Sequence, residues 1–476
     1  MLFVLLSSAA APLAQTRGGR PDLRRLEQAA AALGAGELQR AESLLSAALA
    51  ATPRDADALN LLGVLRARQQ RGPEAEALFR RALAADPSHL SAHVNLGELL
   101  TAEGRESEAL DVLLAAHRLA PARPDVSLKL LQSLLNRGRR EEARGLAREY
   151  ADYPAVDARA RAEFAVALAR GGLVEEALGL LETARARAPR SFETLFALGY
   201  ISAATGRPEQ AEAYLTEALG AKPDDVETLR ALAAVARARG DFEKALAHLM
   251  RARRVAPESP RVLYDFGVTT LQMGLLLDAL PAFEQLRRTH PNEPAYLYGL
   301  AATRFKKGET AEAARLLKEY VAFRPADAAG FYLLGAALHS LEQQAEARAA
   351  LEQSLKLRPD ADAEYLLGET LAAEGESAAA VELFRRVVRE RPEHAAAHAA
   401  LGAALRERGD LAAARAELER AVELDPDDLR ANYQLGLVYG RLGDSEGAKR
   451  QFARADELRG RERRRESVIL KLIDPP

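Results

Sequence analysis

The sequence of 476 residues contains no cysteine and no tryptophan, and aromatic residues make up only 5% of it. Without cysteine the chain cannot form disulfides, bind zinc through thiolates or use a thiol nucleophile, but this absence leaves the redox compartment undecided. Neither sign of charge is in clear excess, since 66 Lys and Arg stand against 69 Asp and Glu, for a net charge of -3. Such a balance produces no long-range field that attracts phosphates, so we expect no nucleic-acid partner.

One apolar stretch stands out at the N-terminus, where residues 1–14 read MLFVLLSSAAAPLA. It is too short to span a bilayer, which takes about 20 apolar residues. An apolar core that runs into small residues is typical of a secretory signal with a cleavage site, although the usual basic residues are missing. We predict a signal peptide at 1–14, a linker at 15–21 and a periplasmic or extracellular mature chain without a membrane span. An earlier start or a buried helix are the alternatives, and without a signal the chain is cytoplasmic.

The main feature of the sequence is a period of 34 residues. It is plainest in the spacing of Gly206, Gly240, Gly274 and Gly308, and of Pro189, Pro223, Pro257, Pro291, Pro325 and Pro359. A fixed period of about 20–50 residues indicates a solenoid of stacked repeats. That spacing gives thirteen units within residues 22–460 and leaves no room for a second domain. The units start at Asp22, Ala56, Leu90, Pro124, Ala158, Phe192, Val226, Pro260, Pro294, Ala328, Ala361, Ala395 and Leu429.

Each unit is predicted to consist of two helices around a turn. In the eighth unit, apolar residues recur at helical spacing before Gly274, as Leu263 and Phe266, and after it, as Phe283 and Leu286. The proline that closes the unit ends the second helix, because a proline inside a helix loses a hydrogen bond and clashes with the preceding turn. The Asp or Asn directly after that proline is predicted to cap the next helix. Examples are Asp224, Asn292 and Asp427.

These units resemble the tetratricopeptide repeat family, whose helix–turn–helix unit carries Leu-Gly, Ala, an aromatic residue, a second Ala and Pro at set offsets. The Leu-Gly pair stands at Leu62-Gly63, Leu96-Gly97, Leu198-Gly199, Leu334-Gly335, Leu367-Gly368, Leu401-Gly402 and Leu435-Gly436. Every unit has the first alanine: Ala41, Ala75, Ala109, Ala143, Ala177, Ala211, Ala245, Ala279, Ala313, Ala347, Ala380, Ala414 and Ala448. The resemblance implies an all-α fold, a right-handed α-solenoid superhelix of about thirteen repeats. From residue size we predict that the glycine meets the alanine where the two helices pack closest.

Three places depart from the pattern, one of them the interval from Pro359 to Pro392, which is 33 residues. Tyr150 replaces the second Ala of the fourth unit and its proline comes one residue early at Pro154, so we predict an irregular junction at residues 150–160. The tail at 461–476 begins with charges and ends with apolar residues. We predict that it forms a C-terminal helix that caps the apolar edge of the last unit, as repeat arrays require.

No constellation for catalysis or for cofactor binding is present, since the chain lacks a GxxxxGK phosphate loop, a GxSxG elbow and an HExxH motif. Two histidine pairs, His89 with His93 and His394 with His398, place two imidazoles on one helical face and could begin a metal site. Each pair straddles a connection between units, and no third ligand is predicted. We therefore predict a protein that is not an enzyme and has no catalytic, cofactor-binding or metal-binding residues, with a metal-dependent enzyme as the least favoured alternative.

The family resemblance implies that the first helices of the units line a concave groove, with their fifth, ninth and twelfth positions pointing into it. Tyrosine is a favoured contact residue with few rotamers to freeze. The predicted partner-binding residues are Phe196, Tyr200, Tyr264, Tyr298, Tyr332, Tyr365 and Tyr433. Packing against the neighbouring unit is the other interpretation of these rings, and the sequence leaves it open. In the N-terminal units the second position is predicted to form an acidic rim, from Asp57, Asp125, Glu193 and Glu227.

We therefore predict a scaffold or adaptor of the bacterial envelope that holds a segment of a protein partner in its groove. Self-association into a homo-oligomer is the alternative. No unit has both the Lys at the fifth and the Asn at the ninth position with which some family members clamp a chaperone tail. The resemblance therefore does not imply that partner.

Overall fold

The structure, a computed structural model, describes the backbone of residues 23–473 and the side chains as far as Arg461. These residues form 26 α-helices and no β-strand, which confirms the all-α fold. The helices pair into successive hairpins. We call the odd-numbered helix of each hairpin its A helix and the even-numbered one its B helix. The segments predicted as signal and linker, 1–14 and 15–21, lie outside the described residues, as do the side chains of the predicted tail beyond Arg461.

The hairpins fall into two compact units, a first unit that ends at Val255 and a second unit that begins at Ala256. The nearly constant spacing of the repeats gives no sign of this division. The first unit contains α1 Leu23–Gly34, α2 Leu38–Ala51, α3 Ala56–Arg68, α4 Gly72–Ala85, α5 Leu90–Ala102, α6 Glu106–Leu119, α7 Pro124–Asn136, α8 Arg140–Asp152, α9 Ala158–Arg170, α10 Val174–Arg187, α11 Phe192–Ala204, α12 Pro208–Ala221, α13 Val226–Ala238 and α14 Phe242–Val255.

The second unit ends in the longest described helix, α26, which is the B helix of the last hairpin and continues into the predicted tail. Its helices are α15 Pro260–Gln272, α16 Leu276–Thr289, α17 Pro294–Lys306, α18 Thr310–Phe323, α19 Ala328–Ser340, α20 Gln344–Leu357, α21 Ala361–Ala373, α22 Ser377–Glu390, α23 Ala395–Glu407, α24 Leu411–Leu424, α25 Leu429–Leu442 and α26 Ser445–Ile473. Within residues 23–473 no helix combines the length and the apolar content needed to cross a membrane.

The turn inside each hairpin requires a left-handed residue. Gly206 and Gly308 have φ values of 73° and 86°, and the residue after Gly206 donates its N–H to the carbonyl five residues earlier, at 2.9 Å. This geometry ends a helix by satisfying carbonyls that would otherwise have no partner, and glycine adopts it without steric cost. Gln70 and Glu342 occupy the same place in their hairpins with φ values of 61° and 59°.

The two helices of a hairpin close on a glycine of the A helix and a large side chain of the B helix. A Cβ added at Gly63 would lie 2.5 Å from the ring of Phe79, and one added at Gly402 would lie 2.5 Å from Cγ of Leu418. The side chain one turn beyond the predicted alanine lies nearest to the glycine, and the alanine itself comes close through its backbone, as at Gly402, where the carbonyl oxygen of Ala414 is 3.1 Å from the added Cβ. The alanines at the predicted position are themselves buried. They are 0% exposed in the first twelve hairpins, and Ala448 in the last hairpin is 7% exposed.

Aspartates cap several A helices, one residue later than predicted. The carboxylate of Asp225, not that of Asp224, accepts the N–H of Thr228 at 2.8 Å. Two turn residues separate the closing proline from the next helix, and the second of them has the extended backbone of a cap, with φ -68° and ψ 113° at Asp225. Asp428 likewise caps in place of Asp427, whereas beside Asn292 the cap position is Glu293, whose side chain makes no capping hydrogen bond.

The connection between α8 and α9 differs from the others, because α8 has 13 residues where the other B helices of the first unit have 14. Arg161 of α9 is only 7% exposed and donates hydrogen bonds to the carbonyl oxygens of Tyr153 and Val156 in this connection. The rings of Tyr150 and Phe164 stack beside it with their centroids 4.1 Å apart. A buried guanidinium and an aromatic stack therefore hold the irregular segment in place.

Candidate functional site

The A helices lie on the inner side of the second unit. From α15 to α25, the A helices of successive hairpins pack directly against each other, whereas no two successive B helices within the described part of this unit pack as closely. Successive B helices are farther apart and are joined by ion pairs between long side chains. Arg287 of α16 and Glu319 of α18 form one of these pairs. A stack whose layers are closer on one side curves towards that side. The A-helix face of the second unit is therefore its concave face.

One ion pair shows this convergence directly. An Nη atom of Arg430 in α25 lies 2.8 Å from a carboxylate oxygen of Glu369 in α21, although α23 packs between those two helices. At the positions of α23 that correspond to Tyr365 and Glu369 in α21 stand Ala399 and Ala403, which are buried. Small side chains on α23 let the two charged groups meet above it. We call the Glu369–Arg430 pair the clasp.

Five of the predicted site residues lie on the concave face of the second unit, at the same position of their A helix. Four of them come from four successive A helices, α15, α17, α19 and α21, and are half-buried. The fifth, Tyr433 of α25, is 41% exposed and is separated from the others by Ala399 of α23. We call the first four the aromatic row: Tyr264, Tyr298, Tyr332 and Tyr365.

Most of these rings pack on an aromatic side chain from the B helix of their own hairpin. Ring centroids are 6.2 Å apart for Tyr264 and Phe283, 5.1 Å for Tyr298 and Tyr320, 5.9 Å for Tyr365 and Phe384, and 5.6 Å for Tyr433 and Phe452. Such offset and edge contacts favour a fixed ring orientation. Packing inside the hairpin therefore accounts for one side of each of these rings. The next hairpin also contacts two of them, with Tyr296 centred 5.6 Å from Tyr264 and His394 centred 5.1 Å from Tyr365.

The phenol oxygens of Tyr298, Tyr332 and Tyr365 form no hydrogen bond with any described residue. Burial raises the pKa of all three phenols, that of Tyr365 to about 12, because a phenolate would lose its hydration. The hydroxyls are therefore neutral at physiological pH, and each can donate one hydrogen bond and accept others.

Small residues flank Tyr298 and Tyr332 on their own helices. The second and ninth positions of both helices hold half-buried alanines: Ala295, Ala302, Ala329 and Ala336. The nearest charges are carboxylates, of Asp327 towards Tyr298 and of Asp360 and Asp362 towards Tyr332, and they add to the effect of burial in raising the pKa of the two phenols.

The two predicted residues of the first unit are arranged differently. Phe192, Phe196 and Tyr200 stack along the single helix α11, with centroid distances of 5.8 and 6.4 Å. Tyr200, the last of them, is 41% exposed. The next A helix, α13, has Arg230 at the fifth position. These aromatic side chains therefore follow one helix and do not form a row across several.

The carboxylates of the predicted acidic rim of the first unit each have a partner in the chain, an arginine or lysine for three of them and an imidazole for Asp57. The three ion pairs reduce the charge that the rim offers to a basic ligand. The pairs are Asp57 with His89 at 3.0 Å, Asp125 with Arg123 at 2.7 Å, Glu193 with Lys222 at 3.2 Å and Glu227 with Arg230 at 2.8 Å.

Sequence reasoning missed the polar contacts that join successive A helices of the first unit. The amide nitrogen of Asn95 donates to the amide oxygen of Asn60 at 2.9 Å, and both side chains are buried. Lys129 of α7 forms an ion pair with Glu98 of α5. Each contact joins a groove position of one helix, the fifth for Asn60 and the ninth for Glu98, to the sixth position of the next, which the groove pattern does not include.

The histidine pairs serve the helix ends. In each pair the first imidazole accepts the N–H three residues on, at 3.0 Å for His89 and 3.1 Å for His394. The second imidazole contacts the carbonyl of the closing proline, at 3.0 Å for His93 and 3.1 Å for His398. Among residues 23–461 no group of three His, Cys, Asp or Glu side chains is arranged to hold a metal ion.

Solved structures similar to this chain include other helical repeat proteins. The Cut9–Hcn1 hetero-tetramer of the APC/C gives a TM-score of 0.46 and 15% identity, covering 92% of this chain and 94% of that chain. MamA from residue 41 to its end, from Desulfovibrio magneticus RS-1, gives a TM-score of 0.33 and 29% identity, and the match covers 35% of this chain and 96% of that chain. A tetratricopeptide repeat protein from Parabacteroides merdae gives a TM-score of 0.43 and 20% identity, and the match covers 51% of this chain and 97% of that chain. No protein of curated function matches this chain.

Sequence models of repeat families match most of the chain. One, described as tetratricopeptide repeat, matches residues 26–89, 68–124, 165–226, 264–328, 305–364 and 332–395, which together are more than half of the chain. Further tetratricopeptide models match 202–264, 402–443 and 429–461. Repeats of this kind support a scaffold for interactions between proteins. The chain belongs to the tetratricopeptide repeat family.

Proposed function

We propose that this protein is a scaffold that binds an apolar segment of a partner protein, extended or helical, along the aromatic row. The observation that carries the proposal is the pair Tyr298 and Tyr332, on neighbouring A helices of a concave face, with unbonded hydroxyls and with alanine at the second and ninth positions of both helices. Tyrosine held in this way offers a large contact area at little cost in side-chain entropy. Aliphatic or aromatic side chains of the partner would fill the spaces between the rings.

The test removes the middle of the row. The double variant Tyr298→Ala, Tyr332→Ala is expected to recover about tenfold less partner from an envelope extract, because a buried aromatic anchor contributes about 2 kcal/mol or more to binding. Recovery is measured by quantitative mass spectrometry after capture on the immobilised protein.

The matched control is Phe323→Ala, which removes an exposed aromatic side chain from the B helix α18. Far-ultraviolet circular dichroism verifies that both proteins keep their helices. Equal recovery by the wild type and the double variant contradicts the proposal, and so does an equal loss in the Phe323→Ala control.

We also propose that the protein acts in the bacterial envelope. The support is the apolar segment 1–14 with its small residues, which has the composition of a secretory signal. Cell fractionation of the full-length protein tests this, and recovery in the cytoplasmic fraction at full length contradicts it.

Self-association is the second candidate. Leu275 and Leu277, at the turn that begins α16, are 38% and 80% exposed, and neighbouring exposed leucines are unusual on a surface without a partner. Sedimentation equilibrium should then give a mass that rises with concentration for the wild type and stays monomeric for Leu277→Asp. A monomeric wild type at all concentrations removes this candidate.

A further inference from the structure

The clasp joins two hairpins that are not neighbours. Its two residues are 61 positions apart, whereas an ion pair between adjacent hairpins, such as the one from α16 to α18, spans 32 positions. Glu369 follows Tyr365 by four residues and Arg430 precedes Tyr433 by three, spacings that place each charged group on the same side of its helix as the tyrosine. The clasp therefore crosses the concave face between these two tyrosines.

The alanines beneath the clasp are covered. Ala403, at the ninth position of α23, is only 7% exposed, and Ala399, at the fifth position, is 4% exposed. The alanines at the ninth position of α17 and α19, Ala302 and Ala336, are half-buried, although these helices also have an A helix on either side. At the second position of α23, Ala396 is exposed, so the cover is local. The clasp, which reaches over α23 from both neighbouring A helices, accounts for it.

The ion pair of the clasp can separate at little cost in free energy. The side chain of Glu369 is 17% exposed, whereas that of Arg430 is 57% exposed and keeps much of its hydration. Ion pairs exposed in this way contribute little to stability, because water and salt screen them. Hydrogen bonding to Glu369 raises the pKa of Arg430, and the nearby carboxylate of Asp428 adds to this rise. Asp428 lies on the same side of the opening as Arg430, so an anionic group would stay beside the guanidinium after release.

We propose that the clasp is a gate on the concave face: closed, it covers Ala399 and Ala403, and open, it makes the face continuous from the aromatic row to Tyr433. This deepens the proposed function and rests on it, because the gate would decide how long a segment of the partner binds. A segment that ends at Tyr365 leaves the clasp closed. A longer one has to be apolar where it crosses α23, because the surface that opens there consists of alanine methyl groups.

The test uses the absence of cysteine from the chain. Ala403→Cys introduces a single thiol under the clasp, and its reaction with N-ethylmaleimide, an uncharged probe, is followed by mass spectrometry. Ala302→Cys is the matched control, because it lies at the same position of α17, a helix that the clasp neither joins nor crosses. The thiol of Ala403→Cys is expected to react about threefold or more slowly than that of the control, since it reacts only when the cover opens.

Breaking the ion pair should remove this protection. Glu369→Gln and Arg430→Gln, each combined with Ala403→Cys, are both expected to accelerate labelling about threefold, the change that corresponds to the loss of an exposed ion pair. An unpaired Arg430 favours the reactive thiolate and an unpaired Glu369 disfavours it, so an effect on the acidity of the thiol alone would move the two rates in opposite directions. Neither variant should change the rate in Ala302→Cys.

The proposal is overturned if Ala403→Cys and Ala302→Cys react equally fast, if neither clasp variant changes the rate at Ala403→Cys, or if the two change it in opposite directions. Circular dichroism verifies that each variant keeps its helices, and Ala399→Cys replaces Ala403→Cys if the latter does not fold. The labelling reaction contains no partner protein. The gate can therefore fail while the aromatic row still binds its partner, and the row can fail while the gate still opens.

Discussion

At the scale of single residues, the two helices of a hairpin fit together because a glycine on the A helix leaves space for a large side chain of the B helix. A methyl group at Gly402 would lie 2.5 Å from Cγ of Leu418 and 3.1 Å from the carbonyl oxygen of Ala414. A backbone atom cannot move aside as a flexible side chain can. The glycine is therefore required by contact between the helices, not by backbone conformation.

Gly402→Ala is expected to lower the free energy of unfolding of the second unit by about 1–3 kcal/mol, the usual cost of overpacking a close contact. Gly440→Ala is the control, since Gly440 is exposed in α25 and has no atom within 4 Å of its added Cβ. It should raise stability by up to about 1 kcal/mol, because alanine favours a helix over glycine. Urea titration followed by circular dichroism measures both, and changes of the same sign would contradict this account.

The turn residues give a pair of opposite predictions. Gly308→Ala forces a side chain into the left-handed region and should destabilise the chain by about 1 kcal/mol. Glu342→Gly relieves the same strain at φ 59° and should stabilise it by up to about 1 kcal/mol, reduced by the greater freedom of glycine in the unfolded chain. Thermal unfolding of the two variants should therefore shift in opposite directions, and a loss of stability in Glu342→Gly would refute the argument.

The buried phenols make stability depend on pH in the alkaline range. Burial raises the pKa of Tyr365 to about 12, whereas an unfolded tyrosine has a pKa of about 10. The stability that this proton linkage provides is complete below pH 10 and is lost as pH rises from 10 to 12, because the unfolded chain releases the proton first. Tyr365→Phe should therefore show a shallower fall in unfolding free energy over this range, and equal slopes for both proteins would contradict the assignment.

At the scale of elements, the connection between α8 and α9 depends on one side chain. Arg161→Met removes the donors to the carbonyls of Tyr153 and Val156 and should cost about 1–3 kcal/mol, the penalty for unsatisfied buried groups. Hydrogen exchange at the Val156 amide, which donates to Tyr153 at 3.4 Å, should accelerate. Arg159→Met, at an exposed arginine of the same helix, should change neither quantity by much.

Much of the element structure could be predicted from the sequence, because each hairpin is specified within its own 34 residues. The period predicts the pairing of helices, and glycine marks the turn. The errors are local ones of one residue or one helical turn. Asp225 caps in place of Asp224 because the connection contains two residues after the proline, and Gly63 faces Phe79 because the ring reaches back over one turn. Such offsets depend on backbone angles, which composition does not specify.

Most of what joins one hairpin to another could not be predicted in this way. Glu369 and Arg430 meet although 61 positions separate them in the chain. The buried amides of Asn60 and Asn95 are likewise far apart in sequence. The positions of the tyrosines could be predicted, because they follow the period. The absence of a hydrogen-bond partner among the described residues for three of their hydroxyls could not, since it depends on which side chains the surrounding helices place nearby.

At the scale of the whole molecule, unfolding should proceed in parts. Each hairpin contacts mainly its neighbours, so the stability of the array is roughly a sum of local contributions. Gly402→Ala should therefore accelerate hydrogen exchange in the second unit and leave the first unit unchanged, and Arg161→Met should do the reverse. Hydrogen exchange with mass spectrometry measures both. An equal effect of one variant on both units would show that they unfold together.

The clasp also limits how such a chain can change in evolution. A stack held only by contacts between adjacent layers can gain or lose a repeat anywhere, because the new neighbours meet the same surfaces. Where Arg430 reaches over α23 to Glu369, the number of intervening hairpins is fixed at one. Duplication or deletion of a hairpin at that point would separate the two charges or crowd them, so variation in repeat number should accumulate elsewhere in the array.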